Sequence, residues 1–207
     1  MPVIGKEKIK TYLIKQDKKL RSVISSIPYP VAKRNTDIYS SLLYSVVSQQ
    51  LSIKAANTIH ARLLALFPDN NPVPEILKNL SVVNICSVGV SKQKASYLKA
   101  IARVAADDGF NYAVLSRKKD EELINYLTQI HGVGQWTAEM QLMFTFNRKN
   151  IFPVADVGIQ NAMRHLYKLD EEGNDFKAKL IKIADKWKPY RTIVCKYLWK
   201  WKDTGKT

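Results

Sequence analysis

Asp156 is the residue of this sequence with the clearest potential for chemistry. It is the only acidic residue in the segment 151–160 (IFPVADVGIQ), and it directly precedes residues 157–167, where apolar residues recur at helical spacing. An aspartate in that position is most simply the N-cap of the helix. Because a helix N-terminus favours negative charge, the same residue is also suited to act as an anion in a fairly dry site.

A second feature is a pair of glycines, Gly132 and Gly134, between two segments of helical periodicity. The pattern predicts a helix–turn–helix hairpin over about residues 123–145. Glycine adopts positive φ at little cost, and the N–H groups of such a turn can bind a phosphate. A glycine-capped hairpin without a ligand is the alternative. A nucleotide-binding glycine loop is excluded, because Thr137 stands where the third glycine would be and a helix precedes the turn.

Helices must position these residues, since apolar side chains recur at helical spacing in nearly every segment. Proline and glycine breaks divide the chain into about ten helices. Only residues 82–85 form a short run that could be extended. Because no repeat, low-complexity linker or composition shift marks a boundary, the sequence predicts one all-α domain over residues 1–207.

The net charge of +15 is concentrated at the two ends of the chain. Residues 1–34 contribute +7, residues 35–176 contribute 0 and residues 177–207 contribute +8. Basic ends around a neutral middle favour a polyanionic partner, with DNA or RNA as the first candidate. Solvated, lysine-rich helix faces without a partner are the alternative, since 25 of the 33 basic residues are lysines.

The cysteine content and the hydropathy pattern exclude several classes of protein. Cys86 and Cys195 are too few for an iron–sulfur cluster held by four cysteines, and too far apart for a disulfide scaffold or a zinc site of closely spaced cysteines. Both are expected to be buried. Residues 38–53 are too short and too polar an uncharged run to span a bilayer, and residues 1–10 lack a signal-peptide apolar stretch. The sequence predicts a soluble, intracellular protein without a membrane partner.

Four segments together resemble the helix-hairpin-helix (HhH-GPD) DNA glycosylase superfamily, and within it the 3-methyladenine DNA glycosylase II branch. They are the hairpin at 130–139, the loop 152–157, the sequence SQQLS at 48–52 in an early helix, and WKPYR at 187–191 leading to YLW at 197–199. The resemblance covers roughly residues 36–203 in collinear order. It implies a bilobed all-α glycosylase fold, with the active-site cleft between two helical lobes and without an additional N-terminal β domain.

The resemblance implies a role for Asp156 as the catalytic carboxylate, because an anion near the sugar stabilises the positive charge that develops when an N-glycosidic bond breaks. Lyase-type relatives carry a nucleophilic lysine two residues after the second hairpin glycine, where this sequence has Trp136. The expected enzyme is therefore a monofunctional glycosylase. Trp136, Trp199 and Met140 match base-pocket positions, and aromatic faces suit cationic bases such as 3-methyladenine or 7-methylguanine. Met140 stands where some relatives have a tyrosine.

The resemblance also implies which residues bind DNA. Gln50, with Gln49 and Leu51 beside it, matches the wedge that fills the gap left by a flipped base, and a polar helix C-terminus is the alternative. Residues 49–51 are called the wedge segment below. The hairpin residues expected to bind DNA are Gly132, Val133, Gly134, Gln135 and Thr137. Lys92 and Lys94 start a helix that either faces DNA or is solvated.

No side-chain metal site and no cofactor are expected, although the family's monovalent cation, Na⁺ or K⁺, would lie on the main-chain carbonyls of Thr128, Ile130 and Val133. His131 replaces a proline common in the family and is expected to be exposed, while Trp187 is expected to be a packing residue.

The implied activity is that of a monomeric base excision repair glycosylase, which flips alkylated purines from double-stranded DNA and leaves an abasic site. Action on deaminated or oxidised bases, or non-catalytic DNA binding through the hairpin, are the alternatives. The expected location is the cytoplasm in a prokaryote or the nucleus in a eukaryote.

Overall fold

A computed structural model describes residues 5–31, 35–202 and 204. Lys33, Arg34 and Lys206, which contribute to the basic ends, lie outside the described residues. The chain divides into two compact units. Unit 1 comprises Met1–Lys33 and Asn147–Thr207, and unit 2 comprises Arg34–Phe146. The expected position of the active site between two lobes stays a prediction.

The described part of the chain folds into thirteen α-helices and two 3₁₀ turns and contains no strand, so the all-α prediction is confirmed. In chain order the α-helices are α1 (Lys6–Gln16), α2 (Leu20–Ser26), α3 (Ile38–Ser48), α4 (Ile53–Leu64), α5 (Pro74–Asn79), α6 (Val82–Cys86), α7 (Lys92–Asp108), α8 (Tyr112–Leu115), α9 (Asp120–Thr128), α10 (Gln135–Phe144), α11 (Val157–Tyr167), α12 (Gly173–Ala184) and α13 (Arg191–Lys202). The 3₁₀ turns are Pro68–Asn70 and Asp185–Trp187.

The prediction that residues 82–85 could be extended is wrong, because these residues form helix α6. The side chain of Ser81 accepts a hydrogen bond from the main-chain N–H of Asn84 at 3.1 Å and so caps the helix. Ile85 is the buried residue of this helix, whereas Val83 is largely exposed. A strong N-cap therefore outweighs the β-propensity of two adjacent valines.

Burial differs between the two cysteines. Cys195 is buried, as expected, but Cys86 is only half-buried, so the prediction that both are buried is wrong for Cys86. Cys86 is the last residue of the short helix α6, which places Ile85 and not its neighbour in the core.

Within the described residues, no helix is long and apolar enough to cross a membrane.

The core of unit 1 is built where α13 packs against α11 and α2. Trp187 and Tyr197 are fully buried there, which confirms the expected packing role of Trp187. One carboxylate oxygen of the buried Asp17 accepts a hydrogen bond from the Tyr167 hydroxyl at 2.6 Å and another from Trp187 Nε1 at 3.1 Å. These bonds connect α1, α11 and the second 3₁₀ turn, and they give the buried carboxylate the partners that it needs.

In unit 2, the long helix α7 packs against α3, α5 and α6. It begins at Ser91, whose side chain accepts a hydrogen bond from the N–H of Lys94, and it ends at Gly109 with φ of +72°. Its buried face contains Leu98, Ile101 and other apolar residues at helical spacing. The hairpin helices α9 and α10 pack against each other, and α10 also packs against α3. Unit 2 thereby holds the hairpin next to the helix that precedes the wedge segment.

Candidate active site

Asp156 is the N-cap of α11, as the sequence predicts. Its Oδ1 atom accepts a hydrogen bond from the main-chain N–H of Ile159 at 2.8 Å. The preceding loop is fixed by the Gln160 side chain, which donates to the Val154 carbonyl at 2.8 Å, and by the Asp156 N–H, which donates to the Pro153 carbonyl at 2.9 Å. With 9% of its surface exposed, Asp156 is a buried carboxylate at the positive end of a helix.

Trp199 of α13 lies directly beside Asp156. Its indole Nε1 donates a hydrogen bond to Asp156 Oδ1 at 2.9 Å, and the side chain is half-buried. Gly158 allows this approach, because a Cβ atom there would lie 3.1 Å from both Asp156 Oδ1 and Trp199 Cδ1. The structure thus brings together two of the predicted site residues, 43 positions apart in the chain. No pattern in the sequence predicts the hydrogen bond between them.

The predicted hairpin is present in unit 2 as α9, a tight turn and α10. Gly132 has φ of +90°, and the Val133 N–H donates to the Ile130 carbonyl at 2.9 Å. A Cβ atom at Gly132 would lie 2.0 Å from Cγ of Tyr97, so glycine is required both by the backbone and by the close approach of α7. His131 is exposed, as expected, and its ring packs edge-on against the ring of Tyr97, with 4.8 Å between the two ring centroids.

The other hairpin residues expected to bind DNA differ in exposure. Gly134 is exposed and forms the N-cap of α10, and Gln135 is exposed with its amide donating to Glu139 at 3.0 Å. Thr137 is only 2% exposed, and its hydroxyl faces Gln49. A DNA contact by Thr137 would therefore have to come from its main chain. The DNA-binding roles themselves stay predictions.

The sequence SQQLS does not lie within a helix, contrary to the expectation, because α3 ends at Ser48 and Ser52 is the N-cap of α4. The wedge segment is the connection between the two helices. Gln50 is exposed with a left-handed φ of +58°, and Leu51 is 39% exposed. A left-handed, non-glycine residue flanked by an exposed leucine is suited to project from the surface.

Gln49 has a different environment from the two residues that follow it. Its side-chain amide donates to Thr137 Oγ1 at 3.1 Å and to the Gly132 carbonyl at 3.4 Å. The wedge segment and the hairpin, which the sequence suggested separately, are therefore joined by one side chain.

Lys94 is a residue whose role the sequence reasoning missed. Its ammonium group donates to the carbonyls of Val47 at 2.9 Å and Gln49 at 2.7 Å, at the C-terminal end of α3. Burial lowers the pKa of Lys94 from its ordinary value. A weak signal was available, because a lysine in the first turn of a helix opposes the helix dipole and so favours another partner.

Trp136 and Met140 both lie on α10, four residues apart and therefore on one face of the helix. Trp136 is half-buried and Met140 is buried. Their assignment to a base pocket stays a prediction.

Among the described residues, no group of three or more histidine, cysteine, aspartate or glutamate side chains could hold a metal ion. The predicted Na⁺ or K⁺ site would use main-chain carbonyls of Thr128, Ile130 and Val133, and carbonyl oxygens are suitable ligands for such hard cations. The Ile130 carbonyl already accepts a hydrogen bond from Val133, and the cation stays a prediction.

Comparison with known proteins identifies the family. Residues 43–189 match the HhH-GPD superfamily of base excision DNA repair proteins. DNA-3-methyladenine glycosylase 1 of Schizosaccharomyces pombe is 35% identical over 78% of this chain and 71% of its own length, and Bacillus subtilis YfjP is 29% identical over 79% of this chain and 58% of its own length. The chain thus spans less than two thirds of YfjP.

A solved structure gives the same answer. The S. pombe 3-methyladenine DNA glycosylase in complex with abasic DNA superposes with a TM-score of 0.85 at 32% identity, covering 93% of this chain and 95% of that one. Together with the family match over residues 43–189, this similarity places the chain in the HhH-GPD superfamily of base excision DNA repair proteins.

Proposed function

We propose that this chain is a monofunctional DNA glycosylase that excises alkylated purines, of the 3-methyladenine or 7-methylguanine type, and leaves an abasic site. The observation that carries the proposal is the environment of Asp156. This carboxylate is buried at the N-terminus of α11 and is held by two N–H donors, from Ile159 and Trp199. The relatives named DNA-3-methyladenine glycosylases support the same activity.

The reaction breaks the bond between C1′ of the sugar and a ring nitrogen of the base, and the bonding electron pair leaves with the base. An alkylated purine of this type is cationic, so it departs as a neutral base and needs no dedicated general acid. Asp156 stabilises the positive charge that develops on the sugar and orients the water that adds to C1′. The water's surplus proton is released, and the strand remains intact.

The absence of a lyase step follows from the residue at the hairpin. A lyase needs an amine that attacks C1′ to form a Schiff base. Trp136 occupies that position in this chain, and an indole cannot perform the attack. Trp136, Met140 and Trp199 are assigned to recognition of the base, for which aromatic faces suit a positive charge.

Double-stranded DNA is the proposed partner, and the protein is proposed to act on it as a monomer. The hairpin turn is proposed to offer main-chain N–H groups to phosphates, and Gln50 and Leu51 are proposed to fill the gap of a flipped base. The exposure of both side chains supports this role. The excess of basic residues near both ends of the chain supplies attraction that does not depend on sequence. DNA as the substrate implies action in the cytoplasm of a prokaryote or in the nucleus of a eukaryote.

The proposal is tested by comparing the wild type with Asp156→Asn on duplex DNA containing methylated purines. Asparagine is also a good N-cap, so the variant is expected to fold. Released base is measured separately from strand breaks, with and without alkali. We expect the wild type alone to release base and breaks to appear only after alkali.

Other outcomes point to the alternatives. Breaks without alkali would contradict the monofunctional assignment. If neither protein releases methylated base but both bind DNA, deaminated and oxidised bases are tested next. If the wild type releases no methylated, deaminated or oxidised base but still binds DNA, the protein is a non-catalytic DNA-binding protein.

A further inference from the structure

The hydrogen bond between Trp199 and Asp156 indicates a role for Trp199 other than stacking on a base. Trp199 Nε1 and the main-chain N–H of Ile159 reach the same atom, Asp156 Oδ1, at 2.9 and 2.8 Å. Two N–H donors that bond to one carboxylate oxygen at ordinary hydrogen-bond distances restrict both side-chain torsions of Asp156. The orientation of the carboxylate is therefore set jointly by α11, which supplies Ile159, and by α13, which supplies Trp199.

We propose that Trp199 is a positioning residue, whose indole N–H fixes the orientation of the Asp156 carboxylate for the glycosylase reaction. This inference rests on the proposed function, because it needs Asp156 to be the reactive anion. An indole has a single N–H donor. Once that donor is bound to Asp156, Trp199 interacts with a base only through its ring faces and carbon edge, which favours a cationic base over a neutral base that requires hydrogen-bond donors.

Gly158 is part of the same arrangement. The Cβ of an alanine at this position would lie 3.1 Å from Asp156 Oδ1, 3.1 Å from Trp199 Cδ1 and 3.3 Å from Trp199 Nε1. These distances are shorter than ordinary carbon contacts. The absence of a side chain at Gly158 therefore lets the indole ring reach the carboxylate across the packed helices α11 and α13.

Unit 1 contains a second tryptophan–aspartate bond that serves as a matched control. Trp187 Nε1 donates to Asp17 Oδ2 at 3.1 Å, and Trp187 is fully buried in the core. The chemistry of the pair is the same, but Asp17 has no proposed part in the reaction. Replacing either tryptophan by phenylalanine keeps an aromatic ring and removes the N–H donor.

The experiment measures three quantities for wild type, Trp199→Phe, Gly158→Ala and Trp187→Phe. They are the single-turnover rate of 7-methylguanine release, the Kd for duplex DNA carrying a tetrahydrofuran abasic analogue, and the melting temperature. We expect Trp199→Phe and Gly158→Ala to lower the rate by about 10- to 100-fold, the effect of losing one donor to a charged group. Their Kd should be unchanged. Trp187→Phe should lower the melting temperature and keep the rate of the folded enzyme.

A rate for Trp199→Phe equal to that of the wild type overturns the inference, and so does a parallel loss of rate and affinity. An activity-independent measurement separates this failure from failure of the proposed function. In ¹⁵N-labelled protein, the indole N–H resonance of Trp199, assigned by its absence in Trp199→Phe, should shift in Asp156→Ala. An unshifted resonance overturns the inference even in an active enzyme. If the resonance shifts in Asp156→Ala but the wild type releases no base, the hydrogen bond is present and the proposed function fails. The positioning role then fails with it.

Discussion

Replacing Lys94 by methionine tests whether this lysine supports the wedge segment from inside the protein or contacts DNA. The Lys94 ammonium donates to the carbonyls of Val47 and Gln49, at the C-terminal end of α3. Carbonyls at a helix C-terminus lack helical partners and carry the negative end of the helix dipole. Methionine keeps the length of the apolar stem and removes the two hydrogen bonds, so Gln49 and the residues after it lose a fixed attachment.

The size of the effect follows from these two bonds. A hydrogen bond from a charged donor contributes about 1.5–3 kcal/mol, and the ammonium regains part of its hydration when the contact is lost. The burial that lowers the pKa of Lys94 removes part of this hydration in the folded protein. A net loss of about 2 kcal/mol shifts the equilibrium between the ordered and disordered conformations of the wedge segment about 30-fold toward the disordered one. Affinity for an abasic duplex is expected to fall by about tenfold or more, because binding must restore the order.

The assay that separates the two roles is the salt dependence of binding to the abasic duplex. A lysine bound to a phosphate contributes about one unit to the slope of log Kobs against log salt, and its removal lowers the slope by that amount. Lys94→Met should lower affinity at every salt concentration and leave the slope unchanged. Lys92→Met, at an exposed neighbouring position, is the control for loss of charge. A reduced slope for Lys94→Met would show that Lys94 contacts DNA and refute the supporting role.

Three further changes have defined outcomes. Burial lowers the pKa of His60 from its ordinary value of 6.5, so the unfolded state binds more protons than the native state when the pH falls below 6.5. The free energy of unfolding therefore decreases as the pH falls below 6.5. Denaturant unfolding on both sides of pH 6.5 should show this loss in the wild type and not in His60→Phe. Gly132→Ala should destabilise the fold by about 2 kcal/mol or more in denaturant unfolding, through its positive φ and the collision of the new Cβ with the Cβ and ring of Tyr97. An unchanged stability would contradict the close approach of α7 to the turn. A thiol reagent should modify half-buried Cys86 well before buried Cys195 in the native protein, as followed by mass spectrometry, and equal rates would contradict the burial described.

The parts of the site that were predictable from sequence are those with a local cause. Asp156 is an N-cap because its carboxylate bonds to an N–H three residues later, and Gly132 is required by a turn that its own neighbours define. The bonds from Trp199 to Asp156 and from Gln49 to Thr137 join residues 43 and 88 positions apart. Such pairings depend on how helices pack, which helical periodicity does not specify. The all-α fold was predictable because periodicity is a local property, and α6 was missed because a single cap outweighed two valines.

The wedge segment shows how local strain and distant support belong together. Gln50 adopts a left-handed conformation that L-residues with side chains seldom occupy, and such a conformation persists only where its surroundings fix it. On one side Lys94 holds the Gln49 carbonyl and the Gln49 amide is bound to the hairpin; on the other side Ser52 caps α4. A relaxed extended loop would bind DNA only after becoming ordered, and that ordering would subtract from affinity. By anchoring the residue before Gln50 to the hairpin, the fold makes one preorganised surface of the two elements that we propose to bind DNA. A change at Lys94 or Gln49 should therefore weaken the proposed DNA contacts of the wedge segment and of the hairpin together, although Lys94 is assigned no DNA contact.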